Sequence, residues 1–396
     1  MTPPQAAGRI PLVGFYLLYF GTIGITQPFL PAYLRSLALS TTEVGFLLAL
    51  SPLASLIAPP LWGHLADRTG RLSHVLTLLA LGAAVCFAPL LSVDRFPAIV
   101  VTLGAYACFA SSVTPLVDSL ALNHVAQRGG SFAHLRLFGS LGFILSTTTF
   151  GLWVRQVDRT TIIVALTLLS LVALWSFSLR ARTPPGTTPH ALAGLQLLRD
   201  NRDLRWFLAA TCLHWMACAP HNGMFAIHVT ALGLPPSVVG LSFGLGVAAE
   251  VAAMLLYPRF AERIAPRHLL CLSFVLSALR WSGVALVSSP IPLAALSLLH
   301  GMTFGVFYPA SVAFMARRVP QHLRASGQGL FAAVTFGIGG LVGFTSSGAG
   351  YSLLGGGHAL FAVAGVLEIL AAVLVLQASP ALSPQAQPKA IQPHPP

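Results

Sequence analysis

The chain has 396 residues, 55% of them hydrophobic and only 8% charged, yet its formal net charge is +12. A soluble domain carries about a quarter charged residues, so this composition excludes a surface exposed to water on all sides. The basic residues are scattered over short segments without an RNA- or DNA-binding motif, so no nucleic-acid partner is expected. Walker loops, serine-nucleophile elbows and zinc-spaced His/Glu motifs are absent, so neither an enzyme nor an ATP-driven pump is expected, and no cofactor.

Apolar runs recur at the length of bilayer-spanning helices. Taken in order they predict twelve spans: 10–34, 43–62, 72–91, 97–122, 133–153 and 161–179, then 205–231, 237–257, 268–288, 291–315, 325–351 and 358–377. The first run is too long for a signal peptide and no small-residue cleavage site follows it, so it is expected to stay. All lysines and arginines except Arg35, Arg95, Arg155, Arg159 and Arg280 fall on one side of this arrangement. The positive-inside rule makes that side cytoplasmic, with both termini on it, and the positive charge becomes a topology signal. The fold class is therefore an all-α membrane protein, multi-pass in the inner (plasma) membrane, and expected to be monomeric. Its expected parts are a six-helix bundle over 1–180, a Pro-rich cytoplasmic linker over 181–204, a second bundle over 205–378 and a disordered tail over 379–396. The five cysteines, odd in number and without metal-ligand spacing, read as small packing residues in apolar spans.

Displacing the sequence by 195 positions lays "LALSTTEVGFLLAL" (37–50) on "LGLPPSVVGLSFGL" (232–245), with Gly45 on Gly240. The same shift lays "LWGHLADR" (61–68) on "LYPRFAER" (256–263), with Trp62 on Tyr257 and Asp67 on Glu262. At 188 positions "LRLFGSLG" meets "LRASGQGL", with Arg136 on Arg324. Two related halves of six pseudo-symmetric spans imply a transporter that rocks about a site near the bilayer midplane.

"GHLADRTGR" (63–71) resembles the loop between helices 2 and 3 that marks the major facilitator superfamily. By that resemblance Gly63 ends a helix, and Gly63, Asp67, Arg68, Gly70 and Arg71 form a conformational latch, with Glu262 and Arg263 as its second copy. "LRLFGSLGF" (135–143), "HGMTFGVFYPA" (300–310) and "LRASGQGL" (323–330) resemble the branch of proton symporters that holds lactose permease and the phenylpropionate permeases.

An ionised side chain in the bilayer core costs several kcal/mol unless paired or hydrated, so each one asks for a role. Asp118 and Arg136 sit at matching depth on spans joined by a short loop. By resemblance to lactose permease they contact substrate; as residues alone they also fit a structural ion pair. Phe143 stands where that permease has a sugar-stacking tryptophan, which weakens the sugar reading and leaves an aromatic substrate untouched.

Helix rise places Glu250 about 12 Å and Arg280 about 18 Å from the cytoplasmic end, a difference an arginine side chain spans. His300 falls near the depth of Arg280. By resemblance Glu250, Arg280 and His300 carry proton coupling. When Glu250 takes a proton, Arg280 loses its partner and becomes a donor fork for a substrate carboxylate; a purely structural arginine is the alternative. His300 reads equally as proton relay, substrate donor or core histidine.

His214, His221 and His228 recur every seven residues, and His221 with Asn222 is expected to line the cavity, as is Gln27 on a Pro-disrupted first span. Their spacing does not suit a metal. Tyr106, Phe109, Phe304, Phe307 and Tyr308 fit an aromatic wall or plain packing. Glu368 has no evident partner.

The expected function is proton-coupled symport of a small organic solute, an aromatic carboxylate first and a sugar or nucleoside second. The same charges suit a proton-coupled efflux antiporter, and a transporter-like sensor that binds ligand without moving it is a further alternative.

Overall fold

The computed structural model describes residues 7–179, 198–199 and 201–379. Most of the expected linker, and all but the first residue of the expected tail, lie outside them. Among the described residues there is no β-strand. Eleven helices are long and apolar enough to cross a membrane. They are α1 (Arg9–Ser36), α2 (Thr41–Thr69), α3 (Leu72–Leu91), α4 (Phe96–Arg128), α5 (Phe132–Trp153), α6 (Arg159–Ser176), α8 (Pro236–Ala261), α9 (Pro266–Leu286), α10 (Pro290–Arg318), α11 (Gln321–Leu353) and α12 (Gly357–Leu376). Between α6 and α8 runs α7 (Arg202–Ala231), 30 residues long. It is too polar to join the eleven because it holds three histidines and Asn222, and most of its length is buried inside the protein.

Local chemistry explains the helix ends. Ser40 and Glu43 form a capping box before α2; Asp158 and Asn201 cap α6 and α7 through their side chains. Proline opens α8, α9 and α10, where its missing N–H costs nothing. The helix expected to end at Gly63 continues to Thr69 and stops at Gly70, whose φ of 62° is the left-handed value glycine adopts freely. Gly63 therefore lies inside α2, one turn and a half before its end. Two helices carry a wider π segment, Gly301–Val306 in α10 and Ala333–Ile338 in α11, the kind of irregularity that concentrates at functional sites.

Helices α1 to α6 pack with one another, as do α7 to α12, and the two groups meet along α1–α7, α2–α11 and α5–α8. Adding six to each label exchanges the last two interfaces, which is the signature of a pseudo-two-fold axis. One apolar cluster fills the first group, one the second, and a third joins them. Large apolar side chains such as Ile57, Val85 and Leu174 point outward, the pattern of a protein solvated by lipid.

The groups touch most intimately at glycines. A Cβ on Gly45 would lie 2.5 Å from the Phe344 carbonyl oxygen and 2.7 Å from Gly348 Cα, and one on Gly151 would lie 2.9 Å from Gly240 Cα. Both approaches sit within five residues of the arginine-poor helix ends, so the groups are closed against each other at that face.

Candidate functional site

Between the two groups lies a cavity of about 290 Å³. Its wall takes Phe20 and Gln27 from α1, Arg136, Ser140 and Phe143 from α5, and Trp215, His221 and Asn222 from α7. The rest of the second group adds Phe243 and Glu250 on α8, Arg280 and Trp281 on α9, and His300 and Phe304 on α10. The wall is aromatic with a few convergent polar groups, the ordinary make-up of a small-molecule site.

Arg280 is 1% exposed. Its guanidinium donates from one terminal nitrogen to His300 Nδ1 at 3.1 Å and from the other to His221 Nε2 at 3.1 Å. A guanidinium has no acceptor, so both ring nitrogens must present lone pairs and both histidines are neutral with defined tautomers. Trp281 lies beneath the cation, 4.3 Å from Cζ to ring centroid. Among the described residues Arg280 forms no ion pair. The direct link to Glu250 expected from helix depth is not made, because the His300 ring occupies the space: its Nε2 lies 3.3 Å from Glu250 Oε2. Acid, imidazole and guanidinium thus form a chain in which His300 is the middle member. His221 Nδ1 and Ser242 Oγ, both on residues of the wall, are buried without a hydrogen-bond partner.

On the opposite wall Arg136 Nε lies 3.8 Å from Asp118 Oδ1, and the guanidinium stacks on Phe20 at 4.1 Å. Arg136 faces the cavity; Asp118 stands behind it, where the Tyr16 hydroxyl donates to Oδ1 at 2.6 Å. Asp118 is in place to position Arg136 and is not part of the cavity wall, which departs from the expected substrate contact for that residue. Gln27 Nε2 donates to Asn222 Oδ1 at 3.3 Å across the group interface, and Phe143 is 5% exposed at the wall.

Of the five aromatic residues considered for the wall, Phe304 reaches it. Tyr106 packs on Phe87, Phe109 on Trp62 and Phe307 on His214. Sequence reasoning missed Phe20, Trp215, Phe243 and Trp281; Trp215 and Trp281 adjoin His214 and Arg280, and Phe20 and Phe243 stand seven residues, two helical turns, before Gln27 and Glu250. Glu368, without an evident partner in sequence, accepts from Trp281 Nε1 at 3.1 Å and pairs with His214 Nδ1 at 2.8 Å. His228 packs against His358, away from the cavity. The side chains of Asp67, Arg68 and Arg71, and of Glu262 and Arg263, make no hydrogen bond or ion pair among the described residues.

Residues 10–363 match the model of the MFS_1 like family. The maltose permease of Geobacillus stearothermophilus is 30% identical over 375 residues, spanning 91% of this chain and 93% of the permease. The probable 3-phenylpropionic acid transporter of Escherichia coli (strain K12) is 28% identical over 367 residues, spanning 91% of this chain and 95% of that protein. The crystal structure of nucleoside transporter NupG superimposes with a TM-score of 0.83 at 16% identity, covering 93% of this chain and 98% of NupG. A multi-pass helical membrane protein that matches the family model over this length, with a central cavity between two related groups of helices, belongs to the MFS_1 like family of major facilitator transporters.

Proposed function

We propose that this transporter carries a small organic anion with an aromatic or other flat apolar body, together with protons, by alternating access. The observation that carries the reading is Arg280: a buried guanidinium at the cavity wall whose hydrogen bonds go to neutral histidines and whose charge has no ion-pair partner among the described residues. A buried cation without a counter-charge is costly, and a substrate carboxylate offers both the charge and the bidentate geometry. Phe20, Phe143, Trp215, Phe243, Trp281 and Phe304 suit the apolar body.

Glu250, His300 and Arg280 supply the coupling. A proton on Glu250 removes the acceptor charge that orients His300, the ring turns or changes tautomer, and Arg280 loses one of its two acceptors. The freed donor then takes the anion, so proton and anion bind together. Twelve spans with both termini cytoplasmic, in the inner membrane, complete the reading. The glycine-sealed arginine-poor face then makes the described state inward-facing. The relationship to a maltose permease supports a sugar as the second reading, with the Gln27–Asn222 amides as hydroxyl partners.

Uptake into proteoliposomes under an imposed proton gradient tests the proposal, using 3-phenylpropionate, maltose and a nucleoside with wild type and Arg280→Gln. Carboxylate accumulation lost in the variant supports it. Accumulation of a neutral solute by both proteins replaces it with the sugar reading, and binding without accumulation of any of them favours a sensor.

A further inference from the structure

One layer behind the cavity wall, α7 and α12 bring together two ionisable groups that the proposed cycle leaves unused. His214 and Glu368 are both 0% exposed. Nδ1 of the ring lies 2.9 and 2.8 Å from the two carboxylate oxygens, and Nε2 lies 3.0 Å from the Thr303 carbonyl oxygen, inside the π segment of α10. A carbonyl only accepts, so Nε2 carries hydrogen. The contact between Nδ1 and the carboxylate therefore holds one further hydrogen, on the ring or on oxygen, and the pair is neutral either way. Phe274 and Phe307 cover the imidazole at centroid distances of 4.9 and 4.3 Å.

Cys218 Sγ stands 3.8 Å from Nε2, and the three side chains bring possible ligand atoms within 4.8 Å of one another. With Nε2 bonded to a carbonyl and Nδ1 to the carboxylate, the ring turns no free lone pair toward a cation, so the arrangement suits a proton and not a metal.

The pair communicates with the cavity through Trp281. The indole Nε1 donates to Glu368, and the same ring lies under the Arg280 guanidinium. The ionisable groups that face the pair are Cys218 and, further along, His221 on α7, Arg280 on α9, His300 on α10, and Glu250 on α8 beyond His300. Those of α11 and α12 (His322, Arg324, Tyr351 and His358) sit near the helix ends.

We propose that His214 and Glu368 form a second proton-binding site, whose single proton decides whether Arg280 is balanced by the protein or open to a substrate anion. With the proton in place the pair is neutral and Arg280 stays without a counter-charge. Release of that proton to water leaves a neutral imidazole and a carboxylate, a net negative charge one indole away from the guanidinium, and an incoming anion then meets an arginine already balanced. Proton uptake and anion binding favour each other reciprocally, through a site separate from Glu250. The idea rests on Arg280 as the anion anchor.

Infrared difference spectra of the purified protein in nanodiscs, titrated without any substrate, test it. Glutamate-specific carbon-13 labelling reports on Glu43, Glu250, Glu262 and Glu368 alone. The expected result is a titrating glutamate signal that disappears in Glu368→Gln and persists in Glu250→Gln. In Arg280→Gln its midpoint moves to higher pH, by about tenfold or more in proton affinity, because the stabilising cation is gone. A full set of titrating signals in Glu368→Gln overturns the proposal, as does a midpoint that ignores Arg280→Gln. Should Glu368→Gln not fold, the labelled wild type against Arg280→Gln and Glu250→Gln decides the same question. No substrate is present, so failure here counts against the pair alone; the anion-anchor reading is judged by carboxylate uptake.

Discussion

Gln27 and Asn222 are bonded side chain to side chain at 3.3 Å, and they are 195 residues apart, the same displacement that superimposes the two halves of the sequence. Each is thus the counterpart of the other, and their bond lies on the pseudo-two-fold axis relating α1 to α7. In a rocking motion, contacts at the two faces must form and break.

The glycine contacts at the arginine-poor face are such contacts. A side chain at Gly45 has no room against the Phe344 carbonyl and Gly348 Cα, at 2.5 and 2.7 Å from its Cβ. Gly45→Val is expected to hold that face apart and to lower transport by about tenfold or more, the effect of little more than 1 kcal/mol of misplaced closure. Spin-label distances between Arg35→Cys and Ser352→Cys check it: an unchanged distance distribution with full transport refutes the closure role.

Arg280 spreads its two terminal nitrogens to two histidines, which a lysine cannot reproduce from one ammonium. Arg280→Lys keeps the charge yet is expected to weaken carboxylate binding by about tenfold, the loss of one charge-assisted hydrogen bond of roughly 1.5 kcal/mol. Calorimetric titration of 3-phenylpropionate against wild type and variant measures it, and equal affinity would show that charge alone suffices.

The order Glu250, His300, Arg280 predicts that acid and imidazole act as one unit. Glu250→Gln and His300→Gln should each lower proton-driven accumulation by about tenfold or more, leaving what the His214–Glu368 pair supplies, with exchange of preloaded substrate across the vesicle membrane within about threefold of wild type. The double variant should be no worse than either single one, since effects of residues acting together do not add. Additive losses would separate the two roles.

Asp118 holds Arg136 from behind, at 3.8 Å and with both side chains partly exposed. Such a pair is worth about 0–1 kcal/mol. Asp118→Asn is therefore expected to change ligand affinity by about fivefold at most. Arg136→Gln, which alters the wall itself, should change it more. A larger loss in Asp118→Asn than in Arg136→Gln would make the acid a direct substrate contact.

The relation between Glu368 and His214 shows where reading a sequence stops. The two are 154 residues apart, and each looked solitary or repetitive in its own helix. Depth along a helix follows from counting residues at about 1.5 Å each, which is why Arg280 and His300 were placed at one level. Rotation about the helix axis does not follow so simply, since proline, π segments and tilt each turn the face. His300 therefore came out between Glu250 and Arg280, and Asp118 behind Arg136.

The sequence by itself determined what the bilayer enforces locally: long apolar helices, their order, a duplicated half, and a handful of charges too expensive to be accidental. Bilayer thickness and the need to satisfy every backbone group act on each segment separately, so they leave a readable period in the chain. Tertiary structure alone decided which charges meet. It showed that the least apolar long helix, α7, is largely buried and contributes to the cavity wall, that Arg280 rests on two histidines, and that Glu368 closes on His214 behind Trp281. Those pairings depend on the rotation and approach of helices far apart in sequence, and no local pattern records them.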